Sequence, residues 1–530
     1  MSTDTTLPSQ ETWIADSAID VCLKEWQAAL PEGRVLVGNA IAHYNQSCLG
    51  ISKHILAALQ PQNETEVIAI VQIANRHRIS LYTISTGRNW GYGSSLPVAD
   101  DCAILDLSRM NSIIDFDAEL GLVTLEPGVT QQQLFDYLTT HKLNFYMPAT
   151  GAGPTTSVVG NALEHGFGVA PEEDHFRAVT SVRAVLANGE IYQSCFTEMG
   201  APQAGVWKWA IGPYLDGLFA QANMGVVTSL QIALAPRAEH TEVYLFTLKN
   251  KAGLEDMLAA CKTLFADMRG PVGCIKLFNR AQVESTFGRI GMGFIDDFDW
   301  IGIGVVHCRK SMISTMRKEI RRTLSSSSSR MLFINDRRNA LLRKLAALIP
   351  GKKKEELLRE VQRAEYMMDV TNGIPRPDAL RVAYKYVPMP KPSLADPARD
   401  GVGILWYAPV MPMKSATVLG MAAMMESTLA EYGFPRGMTF TITSEKCAIG
   451  VVPIIYKRPE EAEQARRCYH ALWERGNQLG CPLYRINVEA MPKLTNRPGS
   501  VYWNTVAKIK SALDPNHILS PGRYAPANKE

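Results

Sequence analysis

Residues 84–93, Ile-Ser-Thr-Gly-Arg-Asn-Trp-Gly-Tyr-Gly, crowd three glycines, an Arg-Asn pair and a tyrosine into ten positions directly after an apolar run. Residues 79–84, Ile-Ser-Leu-Tyr-Thr-Ile, read as a strand that follows a helical pattern. Glycines at a strand end let the backbone turn with its N–H groups facing an anion, free of side-chain obstruction. The segment predicts a cradle for the pyrophosphate of a cofactor.

At 530 residues, 46% of them hydrophobic and 20% charged, the chain exceeds the size at which one core stops growing, so two or more domains are expected. Its net charge of +3 is too balanced for a nucleic-acid binder, and no basic run carries interleaved aromatics. The opening Met1-Ser-Thr-Asp-Thr-Thr-Leu-Pro8 lacks a basic stretch followed by an apolar one, and no 18-residue apolar run occurs later. A cytoplasmic protein without a membrane partner is expected. The ten cysteines are scattered, with no C-x-x-C pair and no His/Cys cluster at ligand spacing. Neither a metal nor a disulfide framework is expected.

Two further segments have the character of the first. One is Pro148-Ala-Thr-Gly-Ala-Gly-Pro-Thr-Thr-Ser-Val-Val-Gly-Asn-Ala162, continued by Glu164-His-Gly-Phe-Gly168; the other is the stretch 212–228, which ends Asn223-Met-Gly-Val-Val-Thr228. Small residues and hydroxyls permit close backbone approach to a ligand in both. Three such segments within residues 84–228 point to one extended ligand. Around them, residues 56–236 alternate short strands (102–107, 122–125, 181–186) with helices (67–75, 131–140), an α+β or α/β pattern. A second unit starts near residue 238, with a strand at 241–248 and a helix at 254–266. The serine run 325–329 reads as a surface loop, 352–365 as a charged, solvated helix, 385–399 as a proline-rich loop, 404–408 as a buried strand and 506–513 as a helix.

The three segments in this order resemble the FAD-binding domain of the vanillyl-alcohol oxidase and p-cresol methylhydroxylase flavoprotein family. Val185-Leu-Ala-Asn-Gly-Glu190, Tyr484-Arg485, Asp514-Pro-Asn516 and Ser520-Pro-Gly522 extend the likeness. It is strong over 56–236, moderate over the last 50 residues and weak between them. It implies a two-domain α+β flavoprotein. Residues 1–237 would form an FAD-binding domain of two α/β subdomains, 238–495 a substrate-binding cap on an antiparallel sheet, and 496–530 a segment returning to the FAD domain. The FAD site would draw on Thr86, Gly87, Arg88, Asn89, Gly91 and Gly93, then on Pro148, Gly151, Gly153, Thr155, Ser157, Gly160, Asn161 and Gly166, and then on Gly225, Val226, Val227 and Arg523.

The resemblance also implies the chemistry. Tyr92, Tyr484 and Arg485 match the two tyrosines and the arginine that bind a substrate phenol as its phenolate; a guanidinium and two phenol donors lower the pKa of such a phenol. Hydride then leaves the benzylic carbon for flavin N5, giving a p-quinone methide that water can hydroxylate and a second oxidation can take to the carbonyl. Asp174, in Glu172-Glu-Asp-His-Phe176, matches an aspartate close to N5. Each residue has a plainer reading: Tyr92 packing its turn, Tyr484-Arg485 sitting at a strand edge, Asp174 capping a helix or facing solvent.

Departures from the family pattern are informative. Ile404 stands where many relatives bond the flavin through histidine, so the cofactor is held noncovalently or through a tyrosine, Tyr384 before Tyr386. Lys446-Cys-Ala448 replaces a Met-His-His segment over the flavin, and Thr439 and Val452 replace acids, which predicts a more apolar wall. The expected function is that of an FAD-dependent 4-alkylphenol oxidase or hydroxylating dehydrogenase. Its partners would be a phenolic substrate, a cytochrome c or another electron acceptor, and a second copy in a homodimer. The alternatives are oxidation of a non-phenolic alcohol or hydroxy acid, and a catalytically inactive flavin-binding module.

Overall fold

The strand expected ahead of the glycine turn runs Ser80–Ile84 and pairs in parallel with Cys102–Asp106, which pairs in parallel with Ile55–Leu59. The short strand Val35–Leu36 completes this four-stranded sheet. The helix Glu64–His77 starts where the Asn63 side chain accepts the Glu66 N–H, and its Val67, Ile70, Val71 and Ala74, spaced as one helical face, pack with Leu59, Leu81 and Leu105 of the sheet. The computed structural model describes residues 16–169, 171–248, 253–287, 298–348 and 350–527. The localisation read from the first eight residues falls outside them.

A second, antiparallel sheet follows, in the order Ile113–Asp117, Leu122–Leu125, Val226–Ala233, Val179–Val185 and Ile191–Gln193. The helix Gln131–Thr140 lies where the sequence places it, opened by a reciprocal Thr130–Gln133 capping box. Leu134 and Leu138 of that helix share a core with Val123, Val182 and Leu230 of the sheet. The cofactor segments leave from the ends of these two sheets.

The cap is an antiparallel sheet of eight strands. In spatial order seven of them are Arg330–Ile334, His240–Leu248, Trp300–Cys308, Ile275–Asn279, Thr439–Ile442, Cys447–Tyr456 and Gly403–Tyr407. Alternation along the strands gives the sheet two different faces. Tyr244, Phe246, Leu277 and Phe440 belong to the largest core, shared with the helices Leu254–Asp267, Ile313–Leu324 and Ser415–Glu431. On the other face, Val243 and Leu245 pack with Ala364 and Met368 of the helix Lys352–Thr371. That helix was expected to show its charges to water over 352–365; it is longer, and Tyr366, Met367, Val370 and Thr371 near its end line an internal cavity.

The C-terminal segment packs against the first unit. After the helix Val501–Leu513, the Leu81 N–H donates to Ile518 O at 2.7 Å and the Ser520 N–H to Leu81 O at 2.6 Å, adding a strand-like edge beside Ser80–Ile84. A buried ion pair locks this return. Lys510 Nζ donates to Asp514 Oδ2 at 2.6 Å, to Asn223 O at 2.6 Å and to Leu519 O at 2.9 Å, while Asp514 accepts the N–H groups of Ile518 and Leu519. Among the described residues, no helix is long and apolar enough to cross a membrane. Lys510→Met cuts the tie to the cofactor segment at Asn223 and leaves Asp514 buried without its cation. It is expected to lower unfolding free energy by about 3–5 kcal/mol, measured as a shift of the urea midpoint.

Candidate active site

A cavity of about 580 Å³ lies between the first unit and the inner face of the cap. The first glycine segment supplies Thr86, Gly87, Arg88 and Asn89 to its wall. The N–H groups of Gly87, Arg88 and Asn89 make no hydrogen bond with a described residue, so the turn presents donors as an anion cradle must. Gly91, with φ of 78°, does not line the cavity; it shapes the turn, and a Cβ there would fall inside the Trp406 indole, whose Nε1 donates to Trp90 O at 3.1 Å. Gly93 likewise packs on Val488.

The second segment contributes Gly151, Ser157, Gly160 and Asn161. Ser157 caps the short helix Val158–Leu163 by accepting the Gly160 N–H, and a Cβ on Gly160 would collide with Ser85. Pro148, Gly153, Thr155 and Gly166 do not line the cavity. Thr155 is exposed, and Thr150 and Thr156 take lining places instead; Gly166 packs against the Asn161 amide. From the third segment Gly225 and Val227 reach the wall, whereas strand alternation turns Val226 into the core behind it. Free N–H donors, glycines that side chains could not replace and a continuous cavity together fit an FAD.

Glu164 joins two arginines at one end of the cavity. This carboxylate is 6% exposed; Oε2 accepts from Arg485 Nε at 3.3 Å and Oε1 forms a very short contact with the Arg523 guanidinium. Arg485 also donates to Asn89 Oδ1 at 2.6 Å, and Arg523 to the Tyr82 hydroxyl at 2.9 Å. The Arg485 guanidinium lies 4.4 Å from the Tyr92 ring centre. Tyr484 is held by its backbone, with its N–H on Ala408 O and its carbonyl accepting from Gln221. Tyr92, Tyr484 and Arg485 all line the cavity, and neither phenol hydroxyl bonds to a described residue. Burial, with the neighbouring Tyr484, pushes the Tyr92 phenol well above its usual range, so it remains an O–H donor. Glu164 stood in a quoted segment without a role; a buried acid between glycines was the available signal.

Other expected residues lie elsewhere. Asp174 is not among the lining residues; its carboxylate accepts the Arg177 N–H at 3.1 Å, within a turn rather than at a helix start. Tyr384 sits just behind the lining residues Val382 and Ala383, with its hydroxyl donating to Asp400 Oδ2 at 2.7 Å, and Tyr386 is exposed. Ile404 reaches the wall. In the cap, Thr439 lines the cavity, but Val452 is in the core on the opposite face and Val451 takes its place; residues 446–448 stay outside. A one-residue offset along a strand reverses the face. The cap wall also brings in Lys276, Phe278, Thr441 and Ile303, which come from the middle of the chain where the family pattern is weak.

Behind that wall, burial pushes the Glu173 carboxyl up to about 8, against the opposing pull of the Cys274 N–H that it accepts and of Lys276. The carboxyl is therefore mostly protonated near neutrality.

Comparison with known proteins agrees with this geometry. A family described as FAD binding domain matches residues 55–194. A Chondromyces crocatus protein named 1'-carboxy-chondrochloren decarboxylase is 32% identical over 496 residues, 89% of this chain and 90% of its own length. The 4-cresol dehydrogenase [hydroxylating] flavoprotein subunit of Pseudomonas putida is 28% identical over 96% of both chains. In fold, the chain matches p-cresol methylhydroxylase with substrate bound at a TM-score of 0.85, with 24% identity over 97% of this chain and 99% of that one. It matches 4-ethylphenol oxidase from Gulosibacter chungangensis in an isoeugenol complex at 0.85 as well, with 20% identity over 99% of each.

Glu173 gives this region a pH signature. Its folded pKa lies above the unfolded value, so its stabilisation is complete below pH 4.5 and is lost as pH rises toward 8. Glu173→Gln stays neutral throughout and lacks that loss, on the order of 3–5 kcal/mol. Urea unfolding of both proteins at pH 5 and pH 8 reads the difference.

Proposed function

Because this chain belongs to the vanillyl-alcohol oxidase and p-cresol methylhydroxylase flavoprotein family, we propose that it uses FAD to oxidise a para-substituted phenol at the benzylic carbon. The observation that carries the proposal is the pair of unpartnered phenol hydroxyls, Tyr92 and Tyr484, beside Arg485 on the cavity wall. These three groups can surround a substrate oxygen with two O–H donors and a positive charge. Two arginines share the single Glu164 carboxylate, so the cluster keeps a net charge of about +1 for an incoming phenolate. Bound FAD supplies the hydride acceptor, its N5.

Tyr92, Tyr484 and Arg485 bind the phenol as its anion and hold the oxygen at one end of the substrate. Charge pushed from that oxygen through the ring then expels a hydride from the benzylic carbon, leaving a p-quinone methide. Glu164 and Asn89 orient Arg485 throughout. Water addition at the benzylic carbon would give the alcohol. The expected tyrosyl link to the cofactor, in this reading, falls to Tyr384 rather than to the exposed Tyr386. Acid precipitation of the holoenzyme tests it: colour in the pellet supports the bond and colour in the supernatant removes it.

One observation favours a second fate for the quinone methide. Among the described residues that line the cavity, Glu164 is the sole carboxylate and no histidine is present, so a base to activate water is lacking. In a substrate that carries a carboxylate on the next carbon, the electron pair of the C–COO⁻ bond can instead restore the aromatic ring and release CO2. The decarboxylase relative is consistent with this course.

Mixing the holoenzyme anaerobically with 4-ethylphenol should bleach the flavin, and readmitted oxygen separates an oxidase from a dehydrogenase. Bleaching by an alcohol or hydroxy acid but by no phenol overturns the proposal. Arg485→Ala should slow flavin reduction on the order of 10² to 10³-fold, the usual loss for an oxyanion donor, with Glu164 still paired to Arg523.

A further inference from the structure

Among the described residues, four cations line the cavity: Arg88, Lys276, Arg485 and Arg523. Arg88 is paired with Asp396, and Arg485 and Arg523 share Glu164. Lys276 has no hydrogen bond or ion pair with any described residue. It projects from the strand Ile275–Asn279, in register with Thr441 on one side and Ile303 on the other, and both of these line the cavity with it. The Thr441 hydroxyl likewise bonds to no described residue. The surrounding wall is apolar, with Phe278, Ile303 and Val451, so few polar groups there compete for the Lys276 side chain. Glu173, the nearby acid, is mostly protonated at neutral pH and leaves that charge uncancelled.

Position adds to the argument. Tyr484 is tied to Ala408 at the end of the strand Gly403–Tyr407, and the strand of Lys276 lies three places across the sheet from it. Three strand spacings are about 14 Å. Lys276 and the Tyr484–Arg485 pair therefore line separate parts of the cavity wall, a spacing on the order of a phenol with a para arm.

We infer that Lys276, with Thr441, forms an anion subsite that selects phenols whose para substituent ends in a carboxylate. The inference rests on the phenol-oxidation reading and adds the substrate class to it. An ammonium and a hydroxyl can each bond one carboxylate oxygen, which also fixes the para arm against the cap wall.

Titration calorimetry of the holoenzyme tests this with 4-hydroxycinnamate and 4-vinylphenol, two ligands of matched shape that lack a saturated benzylic carbon to oxidise. Wild type should bind the acid more tightly. Lys276→Met should weaken acid binding on the order of 10- to 100-fold and leave 4-vinylphenol unchanged, with Lys276→Arg keeping most of the affinity. Thr441→Val should weaken the acid alone, by less. Equal binding of acid and neutral ligand by wild type, or equal losses for both in Lys276→Met, overturns the subsite. If 4-vinylphenol binds without any preference for the acid, only the subsite falls; if neither ligand binds and no phenol bleaches the flavin, the phenol reading falls with it. Flavin reduction by 3-(4-hydroxyphenyl)propanoate and 4-propylphenol should show the same split, in KM rather than in kcat.

Discussion

One buried carboxylate holds the site together. Glu164 follows the short helix of the second glycine segment and binds arginines from two distant stretches, Arg485 beside Tyr484 and Arg523 in the returning C-terminal segment. Through Arg485 it reaches Asn89 in the first glycine loop, and through Arg523 it reaches Tyr82 on the strand before that loop. In a site with little water, two guanidinium groups this close would repel strongly without the shared anion. With it, their geometry is fixed and a net positive charge survives on the cavity wall. Stability and reactivity thus come from the same three side chains.

The cap supplies the opposite quality. Its sheet turns one face to a dry core and leaves part of the other open as a wall of Phe278, Ile303, Val451 and the threonines Thr439 and Thr441. Few polar groups compete there, so any charge present acts at close to full strength. The helix Lys352–Thr371 closes the same face with side chains from its last turns, which makes it both a cover for the core and a boundary of the cavity.

The first unit was legible because its signals are local. Glycine turns, the Thr130 capping box and apolar spacing in the helix Glu64–His77 all act within a few residues, and the elements lie within three residues of where the pattern puts them. Tyr92, Tyr484 and Arg485, named from the sequence, are brought to one cavity wall. The cap was less readable. Whether Val451 or Val452 faces the cavity depends on a one-residue register that a run of buried residues on both faces does not reveal. Lys276 looks like any strand lysine until its neighbours Thr441 and Ile303 are brought beside it by pairing across long loops. Asp174 shows the converse, an acid whose immediate turn claims its carboxylate.

The walls of the cavity include residues 82–94 from early in the chain, cap residues between 276 and 453, and residues 484–485 and 519–523 from late in it, so pieces made early in synthesis wait for pieces made late. The first sheet has its own core, yet the strand Ser80–Ile84 gains its outer neighbour only when Ile518 and Ser520 arrive. A growing chain on the ribosome can fold that sheet and still possess no complete cofactor pocket. Cofactor capture consequently depends on the late segment 519–523 docking beside the strand Ser80–Ile84, because both stretches line the same cavity.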